Sequence, residues 1–330
     1  RSEKIAIKFE LENEDAYHID RWLNFAIATK AKDLTLDFKS KPPSRAQYDF
    51  PFKLFGATDS PQLQSIRLCS VCLKPPVDFK AFLNLKRLKL EEIDVTNEDM
   101  QILISNCNTL EFLGIVGCGM LTRLSTSHPS NRLKHLQVES CQLLEQIKLN
   151  FGLTKLEYMG PLIPLAPPGP LLLTNVCMKL RRARSSLEYI FTNLPSTLPR
   201  LETLTVQCSE LERATLPEKL IKFMHLKHLR LQLRHPVPER FIDLLDFVCQ
   251  LEAAPLLEKF ELHAMNFVTR CCCGQQFGYW QKPHVVVAMR RRKRLKRTAT
   301  KRKRKILKQD MDDTMAKRKR PVIRFDDLPT

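Results

Sequence analysis

Apolar and polar positions alternate along this chain in short bursts, and the bursts recur. The pattern L-x-x-L-x-L appears at Leu85 (LKRLKL), Leu110 (LEFLGI), Leu133 (LKHLQV), Leu201 (LETLTV), Leu226 (LKHLRL) and Leu257 (LEKFEL). Looser versions begin at Ala31 (AKDLTL), Leu63 (LQSIRL), Leu153 (LTKLEY) and Leu173 (LTNVCM). Each burst is too short to be stable alone. Stacked side by side, the bursts form a parallel sheet whose template leucines make one continuous core. KIAIKF at 4–9 reads as one more strand in front of the ten.

The ten starts lie 20 to 32 residues apart, mostly within the 20–29 residue period of leucine-rich repeats. Two repeats carry Cys118 and Cys141 three residues past the third template position, the Asn/Cys position of that motif. There a small side chain turns inward and satisfies backbone groups as the chain leaves the strand. The segments between strands predict the return path. Residues 15–30 put Ile19, Trp22, Leu23, Ala26 and Ile27 on one helical face. Thr96 and Asp99 are spaced as a capping box ahead of Met100, Leu103 and Ile104. Pro238 opens a helix with Phe241, Leu244, Leu245 and Val248 on one side, and 186–194 forms another. Prolines crowd 161–170, so that stretch should run extended. The expected fold is an α/β leucine-rich repeat solenoid, a horseshoe with a parallel concave sheet and a helical or irregular convex side. It should occupy 1–268 in ten to eleven repeats. A Cys-rich and basic disordered linker (269–316) and a short terminal segment (317–330) follow.

Charge changes the picture at one end only. The net charge is +18, but 288–330 hold 18 Lys/Arg against 5 Asp/Glu. The rest is a nearly balanced body. Such a tail suits an acidic partner, nucleic acid or a nuclear-import receptor. Eleven scattered cysteines in a chain of this size read as reduced thiols rather than a disulfide framework. No apolar run approaches the length needed to cross a bilayer, so no membrane partner is expected.

The wording of successive repeats resembles a known family. WLNFAIATKAKDLTLDF, LQSIRLCSV, FKAFLNLKRLKLEEIDVTNEDMQILISNCNTLEFLGIVGC, RLKHLQVESC and LPEKLIKFMHLKHLRLQL, in that order, resemble the repeat region of plant F-box/LRR proteins. In that family an F-box docks on the Skp1 adaptor of a cullin-RING ubiquitin ligase and the repeats select the substrate. The resemblance therefore implies a substrate-recognition module, with a Skp1-type adaptor as partner where an F-box is present. Residues 1–30 hold no F-box pattern. KRKRPVIRFDDLPT at 317–330 resembles instead the junction where a basic leader meets an F-box start, with Phe325, Leu328 and Pro329 in its Leu-Pro turn.

No catalytic motif is present: neither G-x-S-x-G, nor a P-loop, nor a dinucleotide fingerprint. No enzyme activity, cofactor or metal is expected. His225 and His228, three apart beside one strand, point to opposite faces, and Cys271, Cys272 and Cys273 lack a second pair at zinc-ligand spacing. The concave sheet is the candidate surface. Positions three, five and seven of each template should face outward. These are Arg87, Lys89 and Glu91; Phe112, Gly114 and Val116; His135, Gln137 and Glu139. Further along they are Thr203, Thr205 and Gln207; His228, Arg230 and Gln232; and Lys259, Glu261 and His263. Phe112, read as an exposed aromatic, is the expected interface anchor. The tail offers three basic runs: Arg290, Arg291, Arg292, Lys293 and Arg294; Lys301, Arg302, Lys303, Arg304 and Lys305; and Lys317, Arg318, Lys319 and Arg320. They suit nuclear import, incidental solvated charge, or salt-sensitive phosphate contact. Without aromatics for base stacking, sequence-specific nucleic-acid binding is not expected. The expected compartment is nuclear, cytoplasmic or both.

Overall fold

In the computed structural model the template strands build one twelve-stranded sheet. The structure describes residues 4–39, 47–55, 62–79, 82–125, 132–148, 152–163, 165, 172–180, 186–209, 221–235, 253–266 and 285–290. The strands, in chain order, begin with β1 (Lys4–Lys8), β2 (Asp33–Asp37), β3 (Tyr48–Asp49), β4 (Ser65–Cys69), β5 (Val71–Cys72), β6 (Arg87–Glu91), β7 (Phe112–Val116) and β8 (Arg123–Ser125). They continue with β9 (His135–Glu139), β10 (Gln146–Lys148), β11 (Lys155–Gly160), β12 (Asn175–Leu180), β13 (Thr203–Ser209), β14 (His228–His235), β15 (Lys259–Asn266) and β16 (Val285–Arg290). The large sheet runs β1-β2-β4-β6-β7-β9-β11-β12-β13-β14-β15-β16. All ten template hits and the leading KIAIK strand are in it, paired in parallel. On the far side, β3 pairs with β5 and β8 with β10.

Two backbone ladders explain why the repeats stack in this register. At the strand entry, the carbonyl of template position two accepts both N–H groups that enter the next strand. Glu111 O takes Lys134 and His135 N–H at 2.9 and 3.0 Å, and Lys227 O takes Glu258 and Lys259 N–H at 2.8 and 2.9 Å. At the exit, Ser70, Glu92, Gly117 and Ser140 adopt positive φ of 55°, 53°, 67° and 57°. The N–H of each donates to the end of the following strand, for example Glu92 N–H to Val116 O at 2.7 Å and Ser140 N–H to Met159 O at 2.7 Å. The left-handed turn swings the chain off the sheet, and only one of the four positions is glycine.

The core is a stack of the template residues. Leu113, Leu136, Leu156, Val176, Leu204 and Leu229 are each 0% exposed. Cys118 and Cys141 lie buried at the expected inward position, their thiols donating to the carbonyls of Val116 (3.8 Å) and Glu139 (3.5 Å). The hydrogen bond to Cys141, and then burial, push the Cys118 thiol far above its ordinary range, so it stays protonated. Cys69, Cys72, Cys107, Cys118, Cys141 and Cys177 are free thiols. Beneath the first repeats, Phe50, Phe52, Phe55, Phe79 and Phe82 interlock with ring centroids 4.8 to 6.5 Å apart.

The convex side carries α1 (Ala16–Ala28), α2 (Asn97–Asn106), α3 (Ser186–Thr192) and α4 (Leu194–Thr197). Thr96 and Asp99 form the expected capping box on α2. Asn97 then ties α2 to the next repeat, its amide donating to Thr122 Oγ1 at 2.8 Å and its carbonyl accepting Arg123 N–H at 3.0 Å. On α1, Ile19, Leu23 and Ala26 are buried as expected, but Trp22 is 41% exposed. The buried arc of this helix is narrower than the sequence suggested. Asp20 and Ile27 face the second repeat, where Tyr48 donates its hydroxyl proton to Asp20 at 2.5 Å and Ile27 lines a small pocket with Phe55 and Leu63. Trp22 sits on the opposite flank, against His18. The stretch read as a disordered linker also needs correction. Residues 285–290 form β16, which pairs antiparallel with β15. Three successive valines give that segment the β-branched character an edge strand uses. The compact repeat body therefore runs to Arg290. The helix expected after Pro238, Cys271 to Cys273, the tail beyond Arg290 and the Phe325, Leu328 and Pro329 turn lie outside the described residues. Among the described residues no helix is long and apolar enough to cross a membrane.

Candidate partner-binding face

In-register pairing turns the third, fifth and seventh template positions into three rows across the sheet. Arg87, Phe112, His135, Thr203, His228 and Lys259 stand in the first row. Lys89, Gly114, Gln137, Thr205, Arg230 and Glu261 stand in the second, and Glu91, Val116, Glu139, Gln207, Gln232 and His263 in the third. Every predicted residue of the concave set up to His263 thus lies on one surface. The same offsets in the looser template hits add Asp37, Arg67, Lys155 and Glu157. Their signal was present in the sequence, but the selection stopped at the strict matches.

Phe112 is not the exposed anchor that its position predicts: it is 8% exposed. Gly114, two residues on, leaves an opening in the second row, and the ring folds into it. A Cβ on Gly114 would meet Phe112 Cε1 at 3.1 Å and Lys89 Cγ at 2.9 Å. The Arg87 guanidinium caps the ring at 4.5 Å from its centroid, and the His135 ring meets it edge-on at 4.8 Å. The aromatic is already satisfied within the sheet. Two acids expected to face outward, Glu91 and Glu261, are buried as well, at 5% and 6% exposure.

Each buried acid organises a cluster of cations. Arg67 grips Glu91 with two bonds, Nε to Oε1 at 3.0 Å and Nη2 to Oε2 at 2.8 Å. Lys89 adds a contact at 2.8 Å and Lys39 one at 3.8 Å. Asp37 reaches Arg67 at 3.5 Å and Glu92 reaches Lys39 at 3.0 Å. The Arg67 bonds, helped by Lys89 and opposed by burial, hold the Glu91 carboxyl down at about 2. At the other end Arg230 Nε meets Glu261 Oε2 at 2.5 Å, and Lys259 contacts the same carboxylate. His263 and His228 stand at 3.4 and 3.5 Å from it. Burial raises Glu261, but Arg230, Lys259 and His263 outweigh it and bring the carboxyl down to about 2. Between the clusters, Glu157 meets Lys155 at 2.5 Å and His135 at 3.2 Å. Burial lowers both His135 and His228, so both are neutral at pH 7. Gln137 donates to Glu139 at 2.7 Å. Thr203 and Thr205 are half-buried on the same face. Among the described residues no three His, Cys, Asp or Glu side chains gather as a metal site.

The face is a broad, shallow surface of fixed charges and amides. Such a surface suits contact with another macromolecule better than enclosure of a small one. Comparison with known proteins agrees in kind. Over 121 residues, 37% of its length, this chain is 34% identical to the F-box/FBD/LRR-repeat protein At1g13570 of Arabidopsis thaliana. The match spans 27% of that protein's length. No solved structure matches the chain significantly. The family model described as At1g61320/AtMIF1, LRR domain, matches residues 2–289, a span that takes in every parallel strand and all but the last residue of β16. With its repeats, its register and nearly its whole sheet inside that match, the chain belongs to this leucine-rich repeat family.

Proposed function

We propose that the repeat domain selects protein substrates for an SCF-type (Skp1–cullin–F-box) ubiquitin ligase, acting by binding and not by catalysis. The observation that carries the reading is the three-row concave face, an ordered surface of charge and amide groups on a rigid sheet. The likeness to an F-box/FBD/LRR-repeat protein supports the ubiquitin context. Skp1 contact then falls to an F-box, and substrate contact to the sheet. The test is a pull-down with a purified Skp1-type adaptor, using this chain and versions extended along its transcript at either end. Binding by an extended chain supports the reading, and failure of all of them removes it.

A second reading rests on the concentration of 18 Lys/Arg within 288–330. In this reading the basic runs carry the protein into the nucleus through an import receptor. A fluorescent fusion lacking 288–330 should lose nuclear accumulation, and unchanged accumulation would remove the idea.

A further inference from the structure

The two ends of the concave face differ in charge balance. Around Glu91, the cations Lys39, Arg67 and Lys89 face the anions Asp37, Glu91 and Glu92. Around Glu261, two permanent cations, Arg230 and Lys259, face one carboxylate. The neighbouring positions on β13 and β14, Thr203, Thr205, Gln207 and Gln232, bring no acid. On the other side β16 sets Val286, Ala288 and Arg290 in register with His263, Glu261 and Lys259. Glu261 keeps 8% of its side chain exposed, whereas Arg230 and Lys259 keep 38% and 36%. The acid is sealed in and the cations still reach solvent.

We propose that this β13–β15 end of the concave face receives a carboxylate side chain from an extended acidic segment of a partner protein, with Arg230 and Lys259 as its cations. The proposal rests on the sheet face being the binding surface and adds the chemistry of what it binds. Arg230 and Lys259 outnumber the one carboxylate they flank, so the site still favours an anion. The two histidines lie within 3.5 Å of Glu261. A second carboxylate beside His228 favours its protonated form, so binding takes up a proton and tightens as pH falls from 7.5 toward 6.

The full chain can be tested with a short peptide of alternating Glu and Gly carrying a central diazirine. Photo-adducts are mapped by mass spectrometry, which separates adducts on the sheet from those on the basic tail. Adducts on β13–β15 should outnumber those on β2–β7, and a Lys–Gly twin should label neither end preferentially. Replacing both cations alone would strand a buried carboxylate, so the variant combines Arg230→Gln, Lys259→Gln and Glu261→Gln. It should reduce β13–β15 labelling about tenfold, while the charge-keeping pair Arg230→Lys and Lys259→Arg retains most of it. Equal labelling of the two ends, or labelling that survives the triple variant, overturns the proposal. If the triple variant fails to fold, the wild-type adduct map still decides. A chain that fails every adaptor pull-down yet labels at β13–β15 loses the ubiquitin reading and keeps this one. Adaptor binding without such labelling does the reverse.

Discussion

The first and last thirds of the sheet are built on the same template and finish it differently. From β4 to β9 the large-sheet strands are five residues long and end in a left-handed turn at Ser70, Glu92, Gly117 or Ser140. Strands β13, β14 and β15 run for seven, eight and eight residues. The equivalents of those turn positions, Cys208, Leu233 and Ala264, are still inside the strand and in register. Each third buries a glutamate in the sheet face. One carboxylate is matched by a balanced set of charges and the other is outnumbered. The difference separates two uses of a buried ion pair. In the first third it closes a network that leaves no net charge. In the last it anchors two cations whose outer surfaces remain available.

The comparison can be broken or sharpened experimentally. The core beneath the two ends is alike, so Leu136→Ala and Leu229→Ala should each cost about 3 kcal/mol in urea unfolding. Unequal losses would mean that the ends differ in packing and not only in surface charge. Acid should act on both ends. Glu91 and Glu261 have folded-state values near 2 against an ordinary 4.5. Their stabilisation is therefore complete above pH 4.5 and is lost as pH falls toward 2. His135 and His228 are depressed below 6.5. The unfolded chain takes their protons first, so stability should begin to fall as pH drops below 6.5. His228→Gln should shrink that earlier phase in a pH series of thermal melts, leaving the share of His135, and keep the later phase.

The smallest effect concerns the strand exits. Ser140→Gly should raise stability by about 0.5 kcal/mol by relieving a positive φ. Cys208→Gly, at the equivalent position inside extended β13, should lower it by about 1 kcal/mol. Equal signs in the two melts would show that the exits are not built differently.

The sheet was legible in the sequence because its signal is repeated ten times and each hit carries the same inward leucines. The outward rows followed from the alternation of a strand, which is why Arg230, Lys259 and Glu261 were found together. Phe112 was misread because its fate depends on Gly114 two residues later and on Arg87 and His135 in neighbouring strands, partners that a single template cannot show. The burial of Glu91 escaped for a related reason. Arg67, which grips it, lies in a loose template match 24 residues upstream. β16 escaped because an antiparallel edge strand falls outside the repeat period.

The most direct test of the charge difference compares Arg67→Ala with Arg230→Ala in urea unfolding at neutral pH. Losing Arg67 leaves Asp37, Glu91 and Glu92 with only Lys39 and Lys89. Losing Arg230 leaves Glu261 still matched by Lys259. The first should cost about 3 kcal/mol and the second about 1 kcal/mol. Equal costs, or a larger loss for Arg230→Ala, would contradict the account.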